Sequence, residues 1–424
     1  MTEQRSVETI ASEMASRRDE WVEILQELVR TPSENPPGDT TEIAEYYRGL
    51  LDDYGVSYEV IAPQAEMPNV LAQFEGEGDG DGPHLTFNGH LDTFPMSAEG
   101  RWDHDPFGAE IVDGKMYGRG VADMHAGFTA SLAAFLYLFE HREEFSGTVT
   151  MAAVSDEETG GKWGAEYLVE NHPEYNGDVV INGEPSTNGL VRFGERGPIW
   201  IDLRIRGTAA HISTLDARAS AIDILAAIVP ELNDIPTHED LVDVPEDVAA
   251  AIREAEERMD GLLGEGATER LFRPEVNVGI VEGGEKANLV AEFARAEVDI
   301  RMPVGSTTDQ ALARVREIAA DFPGEITAEP ILQQDPTYSD FEHPIFQSMQ
   351  RNAGIVRGET PLFTCSLGGS DCRFYRPKGI PCVVYGPTPY NIGAANEHVY
   401  VDDFVEVVQA QTMTAYEYLQ GAAE

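Results

Sequence analysis

Two grammars of apolar and polar positions follow one another along the chain. "HLTFNGHLD" (84–92) and "GTVTMAAVSDEE" (147–158) are apolar runs of strand length that end in polar residues. Segments 18–30 and 41–54 place their apolar residues at helical spacing. "DMHAGFTASLAAFLYLFEH" (123–141) is apolar on nearly every side, which predicts a long buried helix. This alternation predicts an α/β sheet, in which ligands bind at the carboxyl ends of the strands, where the polar tails fall.

From about residue 195 the pattern changes. Strand "IWIDLRIRG", helix 218–232, an acidic helical insert 245–263, strands "EVNVGIVEGG" and "NLVAEFARAEVDIRM", helix 307–321 and strand "EITAEPIL" follow in order. That order, βαββαβ with an extra helix, predicts a small α+β domain whose antiparallel sheet carries helices on one face. After about 334 the first grammar returns, with helix 343–353, strand "IPCVVYGP" and helix 402–419. The expected organisation is one α/β domain, 1–194 and 334–424, interrupted by an α+β domain, 195–333. "EGEGDGDG" at 75–82 reads as a solvated hairpin turn, and no internal repeat is visible.

Composition narrows the function classes. The 424 residues include 76 acidic and 29 basic ones, a formal net charge of -47 spread along the chain, which argues against nucleic acid as a partner. Such a charge strains a compact fold in dilute buffer, but at about 1 M salt the Debye length falls to ~3 Å. The expectation is therefore a halophilic protein of a salt-rich cytoplasm. The N-terminus lacks the apolar core of a signal peptide, and no stretch reads as long and apolar enough to span a bilayer, so a soluble, cytoplasmic protein with no membrane partner is expected. Cys365, Cys372 and Cys382 are an odd number without metal-finger spacing and read as buried thiols.

Five segments put ionisable residues at strand ends or helix starts: His90 and Asp92, Asp123 and His125, Glu157 and Glu158, Glu184, and His211. One strand-end carboxylate is ordinarily a cap or a solvated turn. Four such tails in one sheet converge on one cleft, and carboxylates with imidazole are the ligand set of a hydrolytic zinc or related divalent ion. In "H-x-D" both side chains point to one side of an extended segment, so Asp92 can hold the second ring nitrogen of His90. Glu157 and Glu158 diverge, so that one can bind metal while the other acts as general base.

The ordered motifs "GHLDTFP", "GRGVADM", "DEETGG", "GEPS", "G-x-A-A-H", "D-I-R" and "GGSDCRFY…GIP…YGP" run over nearly the whole chain. In this the sequence resembles the metallopeptidase and deacylase family of acetylornithine deacetylase, succinyl-diaminopimelate desuccinylase, aminoacylase and glutamate carboxypeptidase. The resemblance implies an α/β, mixed-sheet di-metal hydrolase domain interrupted by an inserted α+β lid or dimerisation domain, and a homodimer through that lid domain. It makes Asp123 the carboxylate bridging two metals, His90 and Glu184 ligands of one, and Glu158 a ligand of the other. Glu157 becomes the general base and Asp92 the residue that orients His90. His211 matches a lid histidine that reaches a partner's active site, Asn288 and Arg301 lie where the family holds a substrate carboxylate, and Gly369 and Ser370 belong to a substrate-contacting loop. The implied cofactor is Zn2+, as one or two divalent ions, with Co2+ or Mn2+ as alternatives. The implied reaction is amide hydrolysis of an N-acyl amino acid. A dipeptidase or carboxypeptidase acting on a dipeptide, or a catalytically weakened binding relative, are the competing readings.

The sequence departs from the pattern near its end. The family's last ligand of the second metal is a histidine four residues before a glutamate; with Glu397 as that glutamate, the position holds Gly393. His398 could substitute by a shift of the loop, His125 could supply a nitrogen from the helix start, or no side chain replaces the ligand. The lid motif "HISTLD" also lacks the proline that usually follows the histidine.

Overall fold

The computed structural model describes residues 5–78, 81–97, 100–208, 210–211, 220–238 and 241–421. The chain forms two compact units, one of Met1–Phe193, Ser339–Thr364 and Ser370–Glu424, the other of Gly194–Tyr338 and Cys365–Gly369.

The first unit is built on a mixed sheet. Its strands lie in the order Tyr58–Ile61, Asn69–Glu75, Thr148–Val154, His84–His90, Val179–Asn182, Cys382–Val384 and Leu190–Glu195. The pairs from Thr148–Val154 through His84–His90 and Val179–Asn182 to Cys382–Val384 are parallel, and the outer pairs are antiparallel. Central parallel strands are covered on both faces, which is why these segments are continuously apolar and buried.

The helix Ala126–Glu140 lies against the His84–His90 strand and the helix Val401–Leu419, and it is buried from Ala126 to Leu138. Residues 121–140 are long and apolar enough, by length and composition, to cross a membrane, contrary to the reading that no stretch qualifies. All-round apolarity here follows from burial between sheet and helix inside the unit. The acidic run 75–82 is not a hairpin turn, because the Thr148–Val154 strand lies between Asn69–Glu75 and His84–His90. Residues 79–80 of that run lie outside the described residues.

Two glycines set how closely the buried helix meets the sheet. A Cβ on Gly127 would come within 1.6 Å of the Gly183 carbonyl oxygen, and one on Gly183 within 2.3 Å of the Gly127 oxygen. The helix start that follows Asp123 is thereby pressed against the segment that leads into Glu184.

The second unit is a four-stranded antiparallel sheet in the order Glu275–Gly283, Phe293–Met302, Gly197–Arg206 and Glu325–Gln333. Strict alternation along Gly197–Arg206 and Phe293–Met302 turns one face inward, where Ile201, Leu203, Val298 and Ile300 pack against the helices Ala221–Asp234 and Thr308–Ala320. Thr307 and Gln310 form a reciprocal capping box that starts the second of these helices. The acidic insert is broken into two helices, Glu246–Glu254 and Glu256–Leu263.

Gly127→Ala is expected to destabilise the protein by about 1–3 kcal/mol through overpacking against Gly183. Chemical denaturation measures this, and an unchanged midpoint would show that the two backbones do not meet.

Candidate metal centre

Four strand or helix termini in the first unit deliver the ionisable side chains to one place. His90 is the last residue of its strand, Asp123 sits in the turn Val121–His125 that enters the buried helix, Glu157 and Glu158 open the turn after Thr148–Val154, and Glu184 follows Val179–Asn182. Two overlapping sets bring ligand atoms within 4.8 Å of one another: His90, Asp123 and Glu158, and His90, Glu157 and Glu184. His90 Nε2 lies 3.2 Å from Asp123 Oδ1 and 3.3 Å from Glu184 Oε1.

His90 Nδ1–H donates to the Asp92 backbone carbonyl at 2.8 Å, which orients the ring and turns Nε2 toward the carboxylates. The Asp92 carboxylate is 3.6 Å from Nδ1, so the expectation that this side chain orients His90 is corrected to the main chain. The strand stops at His90, and strand alternation no longer applies at Asp92. Its carboxylate instead accepts the backbone N–H groups of Glu157 (3.2 Å) and Glu158 (3.1 Å) and the Asn35 amide (2.9 Å). Asp92 thus fixes the turn that presents the two glutamates.

The electrostatics call for a cation. Burial raises Glu158 and Glu184 well above the usual carboxylate range, and the charge of Asp123 adds to it in both. Burial alone would pull His90 down, but Asp123 and Glu184 outweigh it and hold it well above its ordinary value. Glu158 Oε1 is buried with no hydrogen-bond partner among the described residues. A mixed imidazole and carboxylate donor set with an orphaned buried oxygen fits a divalent ion such as zinc, and His90 could hold it with Asp123 and Glu158 or with Glu184.

Residues 86–417 match peptidase family M20/M25/M40. The chain belongs to that family. It is 25% identical over 379 residues to a probable succinyl-diaminopimelate desuccinylase of Staphylococcus epidermidis, covering 86% of this chain and 89% of that protein. Among solved structures it is similar to the M20 family metallo-carboxypeptidase Sso-CP2 of Sulfolobus solfataricus, with a TM-score of 0.79, 22% identity and coverage of 94% and 99%. The di-peptidase Dug1p of Saccharomyces cerevisiae gives a TM-score of 0.77 at 18% identity, with coverage of 97% and 98%. As an M20 family member the protein is an enzyme that hydrolyses amides.

Neither histidine weighed as a substitute for the second-metal ligand joins the ligand sets of this M20 chain. His398 donates Nδ1–H to the Asn396 carbonyl at 2.9 Å and stacks on Tyr390 at 4.9 Å with an interplanar angle of 8°. His125 donates Nε2–H to the Leu91 carbonyl at 3.1 Å, and burial pushes it down to about 4, so it is neutral. Gly393 presents its carbonyl to Arg119 Nη2 at 3.2 Å.

The same arginine forms a buried pair with Glu397 at 2.5 Å, and Glu397 Oε1 accepts the backbone N–H groups of Ala122 and Asp123. Arg119 and Glu397 brace the Asp123 turn, a role not read from the sequence. The one signal was an arginine inside an apolar stretch of a base-poor chain. Arg373, equally unread, pairs with Glu157 at 2.6 Å.

In the second unit His211 and Asn288 come together, with Asn288 Nδ2 3.2 Å from His211 Nε2, where the strand Ala210–His211 pairs with Leu289–Val290 just after Asn288. Residues 212–219, which carry the rest of "HISTLD", lie outside the described residues. Arg301 pairs with Asp299 at 2.9 Å and lines a cavity of about 830 Å³ with Arg196, Arg270, Arg273 and Glu275. Burial would raise Glu275, but Arg270 and Arg196 bring it down to about 2. Gly368, also in that lining, precedes the half-buried Gly369, and Ser370 is buried and caps the backbone of Cys372 through Oγ at 3.3 Å.

Asp371 is fully buried, and neither carboxylate oxygen has a hydrogen-bond partner among the described residues. Burial pushes its carboxyl up to about 7; Glu157 adds to the rise and Arg373 opposes it. The folded value lies above the unfolded value of 3.8, so the folded state binds more protons between the two, and stability falls as pH rises through that window. Metal-free Asp371→Asn should therefore gain on the wild type from about pH 4 to about pH 7, by up to roughly 4 kcal/mol. Denaturant melts across that range measure the gain, and a difference that does not change with pH would refute it.

Proposed function

We propose that this M20 enzyme is a deacylase that cleaves the amide bond of an N-acyl amino acid. The observation that carries the reading is the division of labour at the Glu157–Glu158 turn. One glutamate has an unpartnered oxygen within reach of His90 and Asp123, and the other is held beside it on a cation. The similarity to a probable desuccinylase supports the acyl side of this reading.

His90, Asp123, Glu158 and Glu184 are the residues that would hold a divalent ion, in the two overlapping sets that share His90, with zinc in the first instance and cobalt or manganese as chemically acceptable replacements. When bound, a divalent ion polarises the scissile carbonyl and acidifies water. Glu157 takes a proton from the attacking water at a carboxylate oxygen. As the new C–O bond forms and the C–N bond breaks, Glu157 delivers that proton to the leaving nitrogen. His211, with Asn288 against its ring, is the candidate oxyanion donor, and Arg301 the candidate partner of a substrate carboxylate. The arginines that share the Arg301 cavity support an anionic ligand there, in a chain whose net charge is -47.

His90 is the single imidazole of the two ligand sets. A second ion would meet carboxylate oxygens alone, the ligand class of manganese, magnesium or calcium rather than of zinc. One tightly held ion per chain is accordingly proposed. A homodimer is proposed through the edge strand Glu275–Gly283, on which Ile280 and Val281 are exposed. The excess of acid supports work in a salt-rich cytoplasm. The second reading, a dipeptidase or carboxypeptidase, is favoured by the likeness to Dug1p and Sso-CP2.

The test is a panel of N-acyl amino acids and dipeptides assayed at high salt, with and without chelator. Acyl amino acids should be the better substrates, with activity lost to chelator and restored by zinc. Glu157→Gln should lower kcat by about 10²–10⁴-fold while the bound ion is retained. Better turnover of dipeptides favours the second reading, and full activity of Glu157→Gln removes Glu157 from the mechanism.

A further inference from the structure

Glu157 and Glu158 are neighbours in sequence, and each falls in a ligand set with His90. Hydrolysis as read above, with Glu157 as the base, needs the two to behave differently. Their surroundings differ. Arg373 Nη1 donates to Glu157 Oε1 at 2.6 Å, with the arginine side chain 8% and the glutamate side chain 12% exposed. Glu158 Oε1 is buried with no hydrogen-bond partner among the described residues.

The guanidinium is held from several sides. Arg373 lies in the short helix Cys372–Tyr375, whose first turn is tied by the Arg373 N–H to the Ser370 carbonyl at 3.2 Å and by the Cys372 N–H to Ser370 Oγ at 3.3 Å. Its guanidinium sits 4.9 Å from the centre of the Phe374 ring. That ring abuts Gly161 in the glutamate turn, where φ is +75° and a Cβ would come within 2.6 Å of Phe374 and 3.4 Å of Arg373 Nη2. The turn that carries Glu157 and the helix that carries Arg373 are packed on one another.

We propose that Arg373 is a positioning residue that decides which of the two adjacent glutamates is the base: by pairing with Glu157 it withholds that carboxylate from the ion and leaves Glu158 to bind it. The proposal rests on Glu157 being the base. A buried guanidinium–carboxylate pair is charge-assisted and little screened by salt, so an ion recruits Glu157 only by breaking it. A merely structural arginine would, on removal, loosen the site and weaken ion binding. The proposed role predicts the opposite sign, because the released carboxylate becomes an additional ligand.

The experiment compares Arg373→Met, Arg373→Lys, Glu157→Gln and the Arg373→Met/Glu157→Gln double variant with the wild type. Zn2+ affinity is read by chelator competition, the visible absorption of the Co2+-loaded proteins reports coordination number, and kcat and KM are read separately. Arg373→Met should bind Zn2+ about tenfold more tightly. Its Co2+ bands should weaken as the coordination number rises, and its kcat should fall about 100-fold or more with KM little changed. The double variant should lose the gain in affinity. Arg373→Lys should lie between wild type and Arg373→Met on both scales, and serves as the readout if the methionine variant does not fold. Unchanged or weaker Zn2+ binding, unchanged kcat, or a gain that persists in the double variant overturns the proposal. Full turnover by Glu157→Gln alone overturns the reading of Glu157 as base instead.

Discussion

The burial of carboxylates around one imidazole is the constraint on which the first unit is built. Asp123, Glu158 and Glu184 are brought to His90 in a place where burial already penalises charge, and the charge of Asp123 adds to the cost of ionising Glu158 and Glu184. A polar cluster of this kind is costly in an apolar core unless a cation completes it. The surrounding hydrogen bonds aim the ligands rather than neutralise them. The Asp92 carbonyl orients the His90 ring, the Asp92 carboxylate ties down the glutamate turn, and the Arg119–Glu397 pair braces Asp123.

The fold supplies the convergence. Three adjacent parallel strands end at His90, at the Glu157 turn and just before Glu184, while the buried helix brings Asp123 across their ends. Gly127 and Gly183 allow that helix to come so close. The apolarity of the helix, which would suit a membrane by composition alone, is what lets it lie between the sheet and the helix Val401–Leu419.

Much of this was legible in the sequence because it depends on short-range patterns. The apolar runs that end in "GHLD", "SDEE" and "NGEP" mark strand ends, and the residues there are the ones that meet. Contacts between distant segments were not legible. Arg373 reaches Glu157 across 216 positions and Arg119 reaches Glu397 across 278, and nothing in the local sequence of either arginine names its partner. At Asp92 the spacing expects the carboxylate on His90, whereas the backbone carbonyl makes the hydrogen bond, since a spacing rule for strands cannot see that the strand has ended. For the acidic run 75–82 the error was topological: a turn-like composition says nothing about a third strand entering between the two it joins.

The most direct measurement is an anomalous-scattering crystal structure of the zinc-loaded protein, with the ion identified at its absorption edge. The account predicts one highly occupied zinc about 2.0–2.1 Å from His90 Nε2, with its carboxylate ligands drawn from Asp123, Glu158 and Glu184 and with Glu157 still on Arg373. A second, equally occupied zinc bound through His398 or His125, or a zinc that does not touch His90, would contradict it.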